Sequence, residues 1–324
     1  MLINCENHWD IDKDMPDVTG KVAIVTGGNT GLGKEIVRQL AKRGAKVYMA
    51  SRTESRAHGA IDELENDHPE IKSKAGIVFL QLDLTSLASC QAAAKQFLEK
   101  ETRLDILINN AGIMATPYEL TKDGFEMQFQ SNYLGHFAFT QPLIPLLIET
   151  SKDPSTSVRI VQVSSTGHTF AKDEVSFNPD LPYSETINRD FGTPWARYGQ
   201  SKLANILFAK ELARRLADHR IFSSALHPGN INTELNRGTF QSYPWMKPAS
   251  KLFSVFLTTP YKGAITPLYA ATADEIDKNN WRGEYFDPLA KHTTPSKLAQ
   301  NAQLAQDLWA LSEKIVLEKY GALA

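Results

Sequence analysis

The chain has 324 residues, 42% of them hydrophobic, and a formal net charge of −2. That length holds one large domain or two smaller ones, and the near-neutral charge gives no electrostatic pull towards nucleic acid or an anionic membrane. The only two cysteines, Cys5 and Cys90, stand far apart, which suits a reducing compartment and excludes a disulfide framework.

Residues 1–19 read as an N-terminal arm with Trp9 as its anchor, and residues 20–324 as one domain. The arm is polar and acidic, without the basic start and apolar stretch of a signal peptide, and no apolar run is long enough to span a bilayer. A cytoplasmic protein with no integral membrane segment is expected. Residues 21–26 form a short β-branched run that predicts a buried strand. A turn with four glycines, Gly27, Gly28, Gly31 and Gly33, follows, then an amphipathic helix over 34–43 ended by Gly44. A strand, a glycine-rich turn and a helix N-terminus together make a pyrophosphate site, because the backbone can approach the phosphates and free N–H groups favour the anion. Gly27, Asn29, Thr30, Gly31, Leu32 and Gly33 are the candidate contacts.

The next strand, 46–50, ends at Ser51-Arg52. An acid there would accept from the 2′-hydroxyl of NAD, whereas an Arg can pair with the 2′-phosphate of NADP. NADP(H) is therefore expected; an Arg52 that is solvated or stacks on adenine admits NAD(H) as well. A helix over 54–68 and a strand over 76–82 lead to Asp83-Leu84. Asp83 can accept from the adenine amino group or cap the helix that starts near Ser86, and the sequence leaves both open. A helix at 86–101 and a strand at 104–108 run into Asn109-Asn110-Ala111-Gly112.

A fifth strand is predicted over 158–163, ending in Ser164-Ser165. Tyr198 and Lys202 open an apolar helical run and lie four apart, on one helix face. An ammonium beside a phenol, whose ordinary pKa is about 10, favours the phenolate and brings proton exchange towards neutral pH. A Tyr and a Lys at that spacing also occur by chance on surface helices. A strand at 221–226, an apolar segment at 234–258 read as a substrate-side lid, a helix at 262–273, a strand at 283–286 and a helix at 295–319 complete the chain. The segment between Ser165 and Tyr198 is long and aromatic, either a wall of the pocket or an insertion packed on itself. The eight histidines show no metal-ligand spacing, and no metal is expected.

Three motifs in order, T-G-G-N-T-G-L-G at 26–33, N-N-A-G at 109–112 and Y-G-Q-S-K at 198–202, resemble the short-chain dehydrogenase/reductase superfamily over residues 20–290. S-N-Y-L-G-H-F at 131–137, Y-G-Q-S-K-L-A-N at 198–205 and L-H-P-G at 226–229 are most similar to retinol-dehydrogenase-like members. The resemblance implies an α/β fold, a Rossmann-type doubly wound parallel sheet with helices on both faces. It implies Asn132, Ser165, Tyr198 and Lys202 as the catalytic set. Tyr198 would be the acid or base, with Lys202 tuning it and holding the nicotinamide ribose, Ser165 polarising the carbonyl and Asn132 holding a relay water. It adds Asn110, Ala111, Gly112, Pro228, Gly229, Ile231 and Thr233 to the cofactor contacts, and a homo-oligomer paired through helices in 132–150 and 196–217. The expected activity interconverts a lipophilic ketone or aldehyde and its alcohol with NADP(H). The alternative is a cofactor-sensing protein on the same fold without turnover.

Overall fold

The computed structural model describes residues 9–231, 237–243 and 258–321. Of the segment expected as a lid, 237–243 and Thr258 are described; the rest, like Thr233, lies outside the described residues. Strands β1 (Val22–Thr26), β2 (Lys46–Ser51), β3 (Ile77–Gln81), β4 (Ile106–Asn109), β5 (Val158–Val163), β6 (Ile221–Leu226), β7 (Glu284–Asp287) and β8 (Lys291–Thr293) form one sheet in the order β3-β2-β1-β4-β5-β6-β7-β8. Neighbours from β3 to β7 run parallel, and β8 closes the edge antiparallel to β7. Every residue of β1, β5 and β6 is buried, as strands covered on both faces require.

Two hydrophobic cores lie on the two faces. One joins the sheet to α1 (Gly31–Lys42), α2 (Glu54–Asp67) and α6 (Pro260–Thr272). The other joins it to α3 (Leu87–Leu98), the interrupted helix α4 (127–150), α5 (Pro194–Arg215) and α7 (Ala302–Tyr320). Local chemistry sets the starts: Ser86, Thr193 and Asn301 accept from the N–H three residues on, and Pro194 follows its cap at a position needing no donor. The chain runs outward from β1 to β3, then crosses back to place β4 on the other side of β1. That reversal leaves a crevice at the carboxyl ends of β1 and β4, where open α/β sheets bind ligands.

Helix α4 is interrupted twice. Pro142 coincides with a 3-10 turn over Gln141–Leu143, but a π-helical segment, Gln130–Leu134, also interrupts it and contains Asn132. Strand β8 was not expected, because three residues carry no readable alternation. In the described part of the arm, Trp9, Ile11, Met15 and Val18 are buried, and Trp9 meets Tyr269 edge-on at 5.7 Å. Helices α4 and α5, the pair expected to join subunits, are covered in part by the chain's own α7. Trp309 packs on Phe137 at 5.1 Å and on Phe208 at 6.0 Å, and Tyr133 Oη bonds Ser312 Oγ at 2.8 Å.

Trp309 is 4% exposed, so Trp309→Ala should cost about 3–5 kcal/mol of stability, read as a lowered urea midpoint. A loss below about 1 kcal/mol would show that α7 is not part of the core.

Candidate active site

The crevice is a cleft of about 570 Å³. At one end lies the glycine turn. Gly33 packs so closely on the first turn residue that a Cβ there would stand 2.2 Å from the Gly27 carbonyl oxygen and 2.6 Å from Asn110 Nδ2. Thr30 caps α1 without a side-chain bond to the helix, so its first N–H groups keep their capacity for an anion. Arg52 lines the same cleft, is exposed, and has no ion-pair partner among the described residues. Of the expected cofactor contacts, Gly27, Thr30, Gly31, Leu32, Gly33, Arg52, Asn110, Ala111, Gly112, Tyr198, Lys202, Pro228, Gly229 and Ile231 line the cleft.

Asn29, Asp83 and Leu84 are not among the lining residues. Asp83 Oδ1 instead accepts from Thr85 N at 3.0 Å and Thr85 Oγ1 at 2.7 Å, in the local turn before the Ser86 cap. Leu84 is buried in the core shared with α3 and α4. The lining also passes from Ser165 to Tyr198 with nothing between. The intervening segment is a packed insertion, with Phe177 buried against Phe129 at 5.9 Å and Tyr183 against Phe125 at 5.3 Å.

The four expected catalytic residues converge from α4, β5 and α5. Lys202 is 4% exposed and donates from Nζ to the Val163 carbonyl at 2.9 Å. Asn132 is fully buried: Oδ1 accepts from Ile113 N at 2.8 Å, and Nδ2 donates to the Ile113 carbonyl at 2.9 Å and Ser201 Oγ at 2.8 Å. The two meet at Gly112, where a Cβ would lie 3.1 Å from Asn132 Oδ1 and 3.3 Å from Lys202 Nζ. Tyr198 is 3% exposed and hydrogen-bonded to Ser165, and Lys202 Nζ stands 5.8 Å from the centre of its ring. Neighbouring Ser164 donates to the Lys202 carbonyl at 2.7 Å, a backbone role.

The electrostatics differ from the expected tuning. Burial pushes the Tyr198 phenol up to about 12, although the Ser165 hydrogen bond draws it down. The same burial brings the Lys202 ammonium down to about 7. Burial sets the direction of both shifts, and a lysine that sheds its proton cannot favour the phenolate.

Two supporting residues are given no part in the site by the sequence, where His136 reads as a packed or partly exposed histidine rather than a catalyst. Thr26 Oγ1 accepts from Asn110 N and Ala111 N, both at 2.9 Å, which leaves its proton for His136 Nε2 at 2.8 Å. His136 Nδ1 then donates to the Asn132 carbonyl at 3.0 Å. Burial takes this histidine down to about 4, so it stays neutral and ties β1 to the π segment. The hint in the sequence is the i, i+4 spacing of Asn132 and His136. The remaining walls, among them Ile113, Met114, Thr116, Val163 and Gln241, carry no motif that marks them.

The sequence model described as short chain dehydrogenase matches residues 21–176. A short-chain dehydrogenase/reductase of Aspergillus calidoustus, drtF, is 41% identical over 312 residues, covering 93% of this chain and 95% of that protein. Retinol dehydrogenase 12 of Mus musculus is 38% identical over 296 residues, covering 91% and 86%. Among solved structures, a protein from Mycobacterium paratuberculosis matches with a TM-score of 0.70 and 33% identity, over 95% of this chain and 97% of that one.

Lys202 sits near neutrality in the fold and near its ordinary 10.5 when unfolded, so the unfolded state binds more protons between about pH 7 and 10.5. Stability should rise with pH across that window. Lys202→Met should therefore be more stable than wild type at pH 7, with the gap closing towards pH 10.5 in urea titrations. A gap independent of pH would contradict the buried-lysine assignment.

Proposed function

The chain belongs to the short-chain dehydrogenase/reductase family of oxidoreductases, and from that premise we propose that it reduces lipophilic ketones or aldehydes with NADPH. One observation carries the reading: Ser165, Tyr198 and Lys202 share a cleft whose other end is a glycine turn flanked by Arg52. The residues present fit a dinucleotide. The N-terminus of α1 and the glycine turn would take the pyrophosphate, and unpaired Arg52 the 2′-phosphate. Lys202 spends one donor on Val163 and keeps the others for ribose hydroxyls.

Bound NADPH supplies the hydride. Ser165 donates its hydroxyl proton towards the substrate oxygen and stabilises the charge that develops there. Tyr198 then delivers its phenolic proton to that oxygen. A phenol held up near 12 retains its proton at neutral pH, which suits an acid in carbonyl reduction better than a base in alcohol oxidation. Asn132 fixes the backbone of Ile113 and the start of the cleft wall. Ile113, Met114, Val163 and Ile231 give that cleft its apolar lining, in keeping with a lipophilic substrate and with the retinol dehydrogenase among the relatives.

The test is NADPH and NADH consumption against a panel of lipophilic aldehydes and ketones. Tyr198→Phe should lower kcat by about 10²–10⁴ while leaving NADPH affinity intact. Arg52→Ala removes one charge-assisted contact and should weaken NADPH about tenfold or more while changing NADH less than about twofold. Tight cofactor binding with no turnover of any carbonyl would favour the sensing protein instead. Faster turnover with NADH would overturn the assignment of Arg52.

A further inference from the structure

Ser165 opens a compact four-residue unit, Ser165-Thr166-Gly167-His168, that folds back on itself. Its carbonyl oxygen accepts twice from the same residue, from His168 N at 3.0 Å and from His168 Nδ1 at 2.7 Å. Its hydroxyl oxygen accepts from Gly167 N at 3.0 Å, which leaves the hydroxyl proton to be donated. The glycine is required: a Cβ there would stand 2.7 Å from Tyr198 Cε1. The serine is thus held at its backbone by His168 and at its side chain by Gly167, which also packs on Tyr198.

The other nitrogen of the His168 ring fixes its tautomer. Nε2 faces the backbone N–H of Ser296 at 3.2 Å and must accept. The proton is therefore on Nδ1, which donates to the Ser165 carbonyl. The ring is 4% exposed, stands edge-on to Tyr285 at 5.4 Å, and is absent from the cleft lining. It does not face the cleft. It links the segment after β8, where Ser296 sits, to the strand end that carries Ser165. Its burial favours the neutral ring, the form that both contacts need.

We propose that His168 is a positioning residue for Ser165: its Nδ1–H, oriented by the Ser296 N–H, sets the serine hydroxyl at the distance and angle from which it polarises the substrate carbonyl. This rests on the reductase reading above. Small displacements matter here, because an oxyanion donor acts over a narrow range of distance and angle. The proposal also gives the C-terminal segment a part in the reaction, through one imidazole that does not face the cleft.

The test is a double-mutant cycle on Ser165→Ala and His168→Phe, with NADPH and the best carbonyl substrate of the panel. Ser165→Ala should lower kcat about a hundredfold. His168→Phe alone should lower kcat about tenfold or more, with KM and NADPH affinity within about threefold of wild type. In the Ser165→Ala background the same change should cost less than about threefold, because the group it positions is gone. His168→Asn, which keeps a donor near the Nδ1 position, should recover most of the loss. Multiplicative losses in the double variant, or NADPH affinity falling along with kcat, would show a structural residue and overturn the proposal while the reductase reading stands. A wild type inactive on the whole panel would overturn the reductase reading and this role with it. Two-bond ¹H–¹⁵N spectra check the placement independently of turnover: the Nδ1–H tautomer of His168 is expected, and an Nε2–H form contradicts it.

Discussion

A lysine amine buried at the carboxyl edge of the sheet constrains everything around it. Lys202 reaches the Val163 carbonyl from the helix that follows β5 and has no carboxylate partner among the described residues. A buried ammonium without a counter-charge is costly, so the site favours the neutral amine until a ligand offers it acceptors. The geometry that holds it is correspondingly tight: a Cβ at Gly112 would press on both Lys202 Nζ and Asn132 Oδ1. Asn132 is in turn placed by a π segment whose carbonyl is tied through His136 to Thr26 on β1. Strand β1 and helix α5 thereby share one polar network, which reaches α5 at Ser201.

Much of this was legible because the determining residues sit where local rules are strong. The β-branched strands, the glycine turn and the Tyr198–Lys202 spacing each follow from short-range chemistry. Asn132, Ser165 and the proline-glycine turn after β6 were reached through family resemblance alone, since nothing in their own spacing marks them. What escaped depends on tertiary context. The π segment answers the demand for a buried Asn at Gly112, and no local pattern encodes it. Asp83 had two readings, adenine contact or helix cap; its carboxylate is instead engaged by Thr85, and Ser86 takes the cap. The aromatic insertion after Ser165 looked equally suited to a pocket wall; Phe129 and Phe125 on the far side of the core decide where it packs. The direction of the Tyr198 shift was misjudged because a sequence shows a charge pair but not the burial that overrides it.

The same context bears on assembly and reach. Helix α7 lays Trp309 and Ser312 over helices α4 and α5, so part of that surface is already an interior. No helix among the described residues is long and apolar enough to cross a membrane.

The central claim is that the Ser165–Tyr198–Lys202 cleft passes a hydride from NADPH to a carbonyl carbon. Its most direct test is isotopic: incubate the protein with NADPH carrying deuterium at both C4 positions of the nicotinamide and a lipophilic aldehyde or ketone, then quantify labelled alcohol by mass spectrometry. The account predicts one deuterium on the carbinol carbon with wild type and almost none with Tyr198→Phe. Unlabelled product, or equal labelling by the variant, would contradict it.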